Sequence, residues 1–269
     1  MDALPSPIVL VGAGNMGGAI AAGWLKADPP LRPTILDPSP NETVRQWYAD
    51  GKIELNSTAR PCSVLVVGVK PQVFPHVIED LKAWVGGETL VISIMAGVTL
   101  GALTDILGTP RCIRVMPNTP GAIGKGVSLV SLSRDCSQTD METARALLSP
   151  LGHVEGPMDE PTLQAATGLS GCGPAYVFLL AELLAQSAEK LGVPADMAAR
   201  LAVQTVEGSA SLLATSDRSA SQLRRAVTSP NGVTQAALEV LMADGAMPSL
   251  FEDALKAALA RDKALSSGE

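Results

Sequence analysis

The sequence has few aromatic residues, few histidines and few cysteines. Aromatic residues make up 3% of its 269 residues, and it contains two histidines and four cysteines. Neither His76 nor His153 lies near a cysteine or near the other histidine in the sequence, which argues against a Cys/His metal site. The cysteines have no short pairing spacing. We therefore expect reduced thiols, a cytoplasmic protein and no bound metal.

Positive charge is also scarce, and so are long hydrophobic runs. The chain has 20 Lys and Arg against 27 Asp and Glu, a net charge of −7, which argues against nucleic acid or an anionic membrane as a partner. No uninterrupted apolar run reaches about 18 residues, so we predict no membrane span. Asp2 stands where a secretory signal would carry positive charge.

The first half of the chain alternates strand-like and helix-like segments. This alternation indicates a doubly wound α/β sheet of the Rossmann type over residues 1–156. The predicted strands are Ile8–Val11, Thr34–Leu36, Val64–Val69, Thr89–Ile94, Cys112–Met116 and, at the sheet edge, Val127–Ser131. The predicted helices are Asn15–Lys26, Glu42–Asp50 and Val73–Trp84.

Residues 157–269 have helical apolar spacing and no β-branched run, which predicts an all-helical second domain. The predicted helices are Thr162–Leu169, Ala175–Leu191, Asp196–Ala214, Ser219–Val227, Val233–Ala243 and Ser249–Leu265. Their apolar content exceeds what one small bundle usually hides. We interpret the excess as a dimer interface formed by helices, and so expect a homodimer.

A glycine-rich loop joins the first predicted strand to the first predicted helix. Glycines at positions 12, 14 and 17 form a G-x-G-x-x-G pattern, in the order strand, glycines, helix and second strand. The glycines allow a tight turn and a close approach of backbone to pyrophosphate, whose charge meets the helix N-terminus. We predict dinucleotide binding by Gly12, Gly14, Asn15, Met16 and Gly17.

An acidic residue ends the second predicted strand. Asp37 lies about 20 residues beyond Gly17, where an acid often binds the ribose hydroxyls of NAD. The alternative is that Asp37 only initiates a turn with Pro38. We expect NADH to be accepted at least comparably to NADPH, although Ser39 can donate to a 2′-phosphate and NADP use stays open.

Loops after three further strands are predicted to line the cofactor crevice, since the carboxyl ends of parallel strands meet there. Lys70 is either a crevice residue or a solvated helix start. Asn118 either fixes the nicotinamide amide or the substrate, or belongs to a turn bracketed by prolines. The predicted residues of these loops are Val69, Lys70, Pro71, Ala96, Gly97 and Asn118.

A second anion site is predicted at residues 229–234, where a Pro/Gly-containing turn opens a helix. Alcohol dehydrogenation needs a base at the substrate, and neither histidine is suitably placed. From residue 156 to residue 227 the one lysine is Lys190, beside a helix end. Reduction of a protonated imine needs no such base, and a hydroxyl such as that of Thr234 can orient the ring nitrogen.

Two stretches resemble the signatures of pyrroline-5-carboxylate reductases. They are Thr167–Tyr176, with Gly-Cys-Gly-Pro-Ala-Tyr, and Val227–Thr234, with Ser-Pro-Asn-Gly-Val-Thr. The similarity extends over the whole chain and also includes Val69–Pro71 and Val115–Pro120. Asn231 replaces the usual glycine, but Asn tolerates left-handed backbone well.

The resemblance implies a Rossmann domain, a helical dimerisation domain and active sites completed across the dimer. It implies reduction of L-1-pyrroline-5-carboxylate to L-proline, the last step of proline biosynthesis, by NAD(P)H. Thr234 matches the residue that bonds the imine nitrogen, and Gly232 and Val233 match backbone donors to the substrate carboxylate. Glu160 matches an acid of the substrate pocket, and Asn56 an asparagine near the cofactor ribose. A larger ring of dimers stays open.

Two alternatives belong to other classes. A β-hydroxyacid dehydrogenase has a similar glycine-rich opening but places a catalytic lysine in its helical domain, which this chain lacks. A non-catalytic regulator that binds dinucleotides would keep the fold, but has no need of a turn for a substrate carboxylate around Thr234.

Overall fold

The computed structural model describes residues 4–27 and 29–267. These residues form two compact units. The first, here the sheet unit, comprises the described residues up to Gly171 together with those from Ala258 onward. The second, the helical unit, comprises Cys172–Ala257.

The described residues of the sheet unit contain an eight-stranded sheet in the order β3-β2-β1-β4-β5-β6-β7-β8. Strands β1 to β6 run parallel, β7 is antiparallel to β6, and β8 is parallel to β7. The strands are β1 Ile8–Val11, β2 Thr34–Leu36, β3 Glu54–Leu55, β4 Val64–Val67, β5 Leu90–Ser93, β6 Cys112–Met116, β7 Gly126–Leu132 and β8 Gly152–Glu155.

Six α-helices lie wholly within the described part of the sheet unit, and polar caps fix the start of several. Asn41 accepts from the Val44 amide at the start of α2, and Thr99 accepts from the Ala102 amide at the start of α4. The helices are α1 Asn15–Lys26, α2 Glu42–Ala49, α3 Phe74–Lys82, α4 Leu100–Leu107, α5 Gln138–Leu148 and α6 Glu160–Ser170.

The core lies on both faces of the sheet, as expected for parallel strands covered on two sides. Leu10 and Val66 pack into one cluster with Trp24 of α1, and Val9 and Leu65 pack into a second cluster on the other face. The Trp24 indole Nε1 donates to the carbonyl oxygen of Leu147 at 2.7 Å, which ties α1 to α5. This core holds the carboxyl ends of the strands, where the predicted crevice lies.

Five further helices follow, and the last one contributes to both units. They are α7 Gly173–Lys190, α8 Ala195–Thr215, α9 Ala220–Ala226, α10 Val233–Leu241 and α11 Met247–Ser267. No residue of α7 is buried, and large apolar side chains are exposed along α7 and α8, Phe178 at 65% among them. Residues of α11 from Ala258 onward belong to the sheet unit.

The predicted fold class is confirmed, with corrections in detail. The prediction that Val127–Ser131 is the sheet edge is wrong, because β8 pairs with β7 and forms that edge. The sequence analysis did not predict the two-residue strand β3 or helices α4 and α5. The predicted domain boundary at 156/157 stays a prediction; the compact units divide at Gly171 instead.

Segment Glu160–Lys190, which contains α6 and α7, is long and apolar enough to cross a membrane by length and composition. No uninterrupted apolar run signals this segment in the sequence, because Gly, Ser and Thr interrupt its apolar residues. One such segment is weak evidence, since core helices of soluble proteins pass the same test. Only 6% of the most apolar stretch of this segment is buried, so its apolar surface must pack against something outside the described chain.

Candidate active site

The glycine-rich loop has the geometry of a pyrophosphate cradle. Gly12 has φ +85°, a left-handed conformation that favours glycine. A Cβ at Gly17 would clash with the carbonyl oxygen of Gly12, so no larger residue fits there. At Gly14 a Cβ would meet nothing within 4 Å, and Gly14 gives α1 no side-chain cap. The loop therefore leaves room beside Gly14 at the start of α1, which is compatible with an anion site.

Asp37 is bound to the same loop. Its Oδ2 accepts from the Ala13 amide at 2.9 Å, and its Oδ1 accepts from the Ser39 amide at 2.9 Å. The second bond is the turn role that the sequence analysis kept as an alternative. Two carboxylate oxygens offer about four acceptor positions, so the ribose role stays open as a prediction.

Asn56 supports Asp37 from the neighbouring strand end. Its Oδ1 accepts from the Asp37 amide and its Nδ2 donates to the Asp37 carbonyl oxygen, both at 2.9 Å. Asn56 has φ +49°, a conformation that Asn adopts more readily than most residues. The structure thus gives Asn56 a place beside the predicted ribose site and a structural role there.

A cavity of about 260 Å³ opens between α1 and α2, next to the cradle. Gly14 and Asn15 contribute to its wall, so part of the predicted cofactor site lines a real depression. The sequence analysis did not predict the contributions from α2, because their signal is a helix N-cap and an ordinary amphipathic pattern. The lining residues are Gly14, Asn15, Gly18, Ala22, Asn41, Thr43, Val44 and Trp47.

The loops after β4 and β5 lie at the same end of the sheet. The Gly68 amide donates to the carbonyl oxygen of Val11 at 2.8 Å, which places the start of the Val69–Pro71 loop beside the cradle. The Lys70 side chain is exposed, and its carbonyl oxygen accepts from the Val73 amide at 2.8 Å at the entry to α3. Ala96 is exposed and Gly97 has φ +73°. Both interpretations of Lys70 remain open.

Asn118 has a structural role that the sequence could not specify. Its Oδ1 accepts from the Val127 amide at 2.8 Å, and its Nδ2 donates to the Ser170 carbonyl oxygen at 2.9 Å. The amide therefore ties a 3₁₀ turn, Thr119–Ile123, to β7 and to the end of α6. Its contact with nicotinamide or substrate stays a prediction.

Glu160 is the first residue of α6, and its hydrogen bonds are made through one of its two carboxylate oxygens. Its Oε1 accepts from the Leu100 amide at 2.9 Å and from Nη1 of Arg114 at 2.9 Å. Oε2 accepts no hydrogen bond from the described residues, and the side chain is 27% exposed. The second oxygen is thus available to a ligand, which is compatible with the predicted pocket role. Arg114 carries no signal in the sequence that predicts this contact.

The turn before α10 is described within the helical unit alone. Asn231 has φ +56°, so the left-handed backbone expected at this position is present. The Gly232 amide donates to the Ser229 carbonyl oxygen at 3.0 Å within the turn, and its role as a donor to the substrate carboxylate stays a prediction. The Val233 side chain is 90% exposed, and α10 has no side-chain cap. The amides of Val233 and Thr234 remain as donors at this helix start.

The Thr234 side chain is exposed, and its hydroxyl has no hydrogen-bond partner among the described residues. His76 is exposed on α3. His153 is 65% exposed, with Nε2 2.8 Å from Oε2 of Glu155. The described residues contain no group of three or more His, Cys, Asp or Glu that could hold a metal ion. The Thr234 hydroxyl at the start of α10 is thus accessible to a ligand.

Comparison with known proteins gives two family matches. A model described as pyrroline-5-carboxylate reductase dimerisation matches residues 160–265. A model described as NADP oxidoreductase coenzyme F420-dependent matches residues 7–97. The first match covers the predicted helical domain, and the second covers the cradle, Asp37 and the loops after β4 and β5.

Individual relatives match nearly the whole chain. Pyrroline-5-carboxylate reductase of Pseudomonas aeruginosa is 37% identical over 265 residues and covers 96% of each chain. The structure of a pyrroline-5-carboxylate reductase from Coxiella burnetii is 32% identical, covers 97% of this chain and 99% of its own, and has a TM-score of 0.88. The Plasmodium falciparum pyrroline carboxylate reductase, solved with NADP bound, is 28% identical, covers 96% of this chain and 97% of its own, and has a TM-score of 0.81.

Proposed function

The chain belongs to the pyrroline-5-carboxylate reductase family, and from this premise we propose that it reduces L-1-pyrroline-5-carboxylate to L-proline with NAD(P)H. The observation that carries the proposal is the 37% identity to such a reductase over 96% of the chain. The open cradle at Gly14 and the unpartnered Thr234 hydroxyl supply the two kinds of site that the reaction needs. A dehydrogenase with a catalytic lysine and a regulator without a substrate turn are both less compatible with these features.

The cradle fits the pyrophosphate of a dinucleotide. The loop leaves open space at Gly14, the residue just before α1, and no side chain caps the first amides of that helix, which favours an anion there. The other predicted residues of the loop flank Gly14 in the sequence; they are Gly12, Asn15, Met16 and Gly17. When bound, the dihydronicotinamide supplies a hydride to the ring carbon of the C=N bond.

The residues of the 229–234 turn supply orientation and charge balance. The amides of Val233 and Thr234 bind the substrate carboxylate, which also meets the positive end of the α10 dipole. The Thr234 hydroxyl accepts a hydrogen bond from the protonated imine nitrogen. The nitrogen keeps that proton as the carbon receives the hydride, so the product is a neutral secondary amine, which then takes a proton from water.

We expect NADH to be accepted at least comparably to NADPH. The two backbone hydrogen bonds to Asp37 keep its negative charge beside the predicted ribose site. That charge disfavours a 2′-phosphate. The cofactor preference is a proposal for this chain, separate from the NADP found in the Plasmodium structure.

Self-association follows from the dimerisation family match, and we propose that its unit is a homodimer. The exposed apolar side chains of α7 and α8 support a face that a second copy covers. The same cover accounts for the apolar Glu160–Lys190 segment without a membrane. A larger ring of dimers and a cytoplasmic location are further proposals, the latter supported by four free cysteines.

The test is a steady-state assay of NADH and NADPH oxidation with purified protein and pyrroline-5-carboxylate. We expect oxidation that depends on the imine and forms proline. A β-hydroxy acid with the oxidised cofactors serves as the comparison substrate for the dehydrogenase alternative. Folded protein that binds either cofactor but forms no proline would contradict the proposed reaction.

A further inference from the structure

Arg114 is a buried charge whose hydrogen-bonding capacity is only partly used. Its side chain is 0% exposed, and Nη1 donates to Glu160 at 2.9 Å. Its Nε and Nη2 form no hydrogen bond with the described residues. Nη2 lies 3.9 Å from Oδ2 of Asp262, which is also buried and without a hydrogen bond. Buried polar groups left unpaired are rare, and each calls for an explanation.

The two acids around Arg114 come from different helices. Glu160 is the first residue of α6, and Asp262 lies on the part of α11 that belongs to the sheet unit. A further bond joins these helices, because Nε2 of Gln164 donates to Oγ of Ser266 at 3.3 Å. Two carboxylates close together repel each other unless a cation lies between them, so Arg114 is what allows both helices to approach β6.

Both helices also support one loop, residues 96–99, between β5 and α4. Glu160 accepts from the Leu100 amide at the end of this loop. Leu265, one turn beyond Asp262, packs on its middle, since a Cβ at Gly97 would lie 3.3 Å from the Leu265 Cβ. The loop is thus held at two points, once by α6 and once by α11. Each of these helices carries an acid that faces Arg114, Glu160 on α6 and Asp262 on α11.

We propose that Arg114 is a positioning residue for the nicotinamide half of the cofactor. By holding Glu160 and Asp262, it fixes the 96–99 loop. This loop follows β5, on the opposite side of β1 from Asp37. In a doubly wound sheet the two halves of a dinucleotide bind on the two sides of the central crevice, so the half beyond β4 takes the nicotinamide. The inference rests on the proposed function for the identity of the cofactor.

A residue that only stabilises the fold would affect both halves of the cofactor alike. ADP-ribose contains the adenosine, the pyrophosphate and a second ribose, but no nicotinamide. Comparing the Kd of ADP-ribose with that of NAD(P)H therefore isolates the nicotinamide half. If the wild-type protein prefers NADPH, the 2′-phosphate of ADP-ribose is the matching probe.

The variants are Arg114→Met, Arg114→Lys and Arg111→Met. We expect Arg114→Met to raise the Kd of NAD(P)H by about tenfold and that of ADP-ribose by less than about twofold. Arg114→Lys keeps the charge but not the planar fork, and should restore part of the NAD(P)H affinity. Arg111 is the matched control, because it forms an ion pair with Asp140 at 2.6 Å just before β6. Its replacement should leave the ratio of the two Kd values unchanged.

Equal weakening of both probes, or unchanged NAD(P)H affinity in Arg114→Met, would overturn the proposal. If Arg114→Met does not fold, Asp262→Asn tests the same point, because it leaves the Arg114–Glu160 bond in place. It should raise the Kd of NAD(P)H by about two- to threefold and leave that of ADP-ribose unchanged; no selective loss would overturn the proposal. Both probes are measured without pyrroline-5-carboxylate, so a failure of the proposed reaction is recognised separately, as cofactor binding without proline formation.

Discussion

Replacing Asp37 by alanine should change cofactor affinity in two separable ways. The carboxylate binds the amides of Ala13 and Ser39, and the Asp37 backbone is in turn held by Asn56. Loss of the Ala13 bond loosens the cradle, which both cofactors use. Loss of the charge removes a repulsion that only NADPH experiences, together with ribose hydrogen bonds that only NADH can make fully.

The two effects have estimable sizes. Hydrogen bonds to a charged group contribute about 1.5–3 kcal/mol, and we take about 1–2 kcal/mol as the common loss because Asp37 is half-buried. At about 4 Å, unit charges interact by about 1 kcal/mol in water. A 2′-phosphate carries nearly two charges, so its relief is about 2 kcal/mol. NADPH should then lose little, while NADH loses the ribose bonds as well, and the ratio should shift toward NADPH by about 30-fold or more.

The assay is kcat/KM for each cofactor at saturating pyrroline-5-carboxylate. Glu42→Gln is the matched control, since it removes a nearby exposed acid at the start of α2 without touching the cradle. An unchanged NADPH-to-NADH ratio in Asp37→Ala would refute the reasoning that the charge faces the ribose. A hundredfold NADPH preference in the wild-type protein would likewise show that the Asp37 carboxylate points away from the ribose.

Three further outcomes are expected. Thr234→Ala should lower kcat/KM by roughly 10- to 1000-fold, the loss of one oriented hydrogen bond, whereas His153→Ala should leave it nearly intact; unchanged kinetics in folded Thr234→Ala would contradict the role of the hydroxyl. Burial raises the pKa of Cys62 and of Cys112 to about 12, so iodoacetamide at about pH 8 should modify neither thiol in the native protein. Peptide mass spectrometry checks this, and labelling of either cysteine would contradict its burial. Phe178→Glu should convert a dimer into a monomer by light scattering, and an unchanged mass would place the interface elsewhere.

The sequence predicted the parts of the fold that depend on local pattern. Strands β1, β2 and β6 and helix α1 have the predicted bounds, because short, largely apolar runs and an Ala-rich helix between a glycine loop and a proline pair are strong local signals. The short strand β3 has two residues and is defined only by pairing with β2. Because such a short strand forms only by pairing with its neighbour, no local sequence pattern predicts it.

The site shows the same division. The glycine pattern predicted the cradle, because the backbone geometry at positions 12 and 17 requires glycine and the requirement is therefore visible in the sequence. The partners of Asp37 and Glu160 were not predictable. Ala13 and Leu100 contribute backbone amides, which every residue except proline carries, and Arg114 lies 46 residues from Glu160. Residue identity indicated which side chains can donate or accept hydrogen bonds, but the fold decides which partners they bind.

The apolar helix α7 shows why a hydropathy pattern needs a structural partner before it can be interpreted. A membrane span, a buried core helix and a dimerisation helix all present long apolar surfaces. The exposure of α7 within the described chain argues against the core helix, since none of its residues is buried. The dimerisation family match over residues 160–265 then favours a second protein copy over lipid as the cover. Composition indicates only that a surface must be covered, whereas burial and family membership together identify the cover.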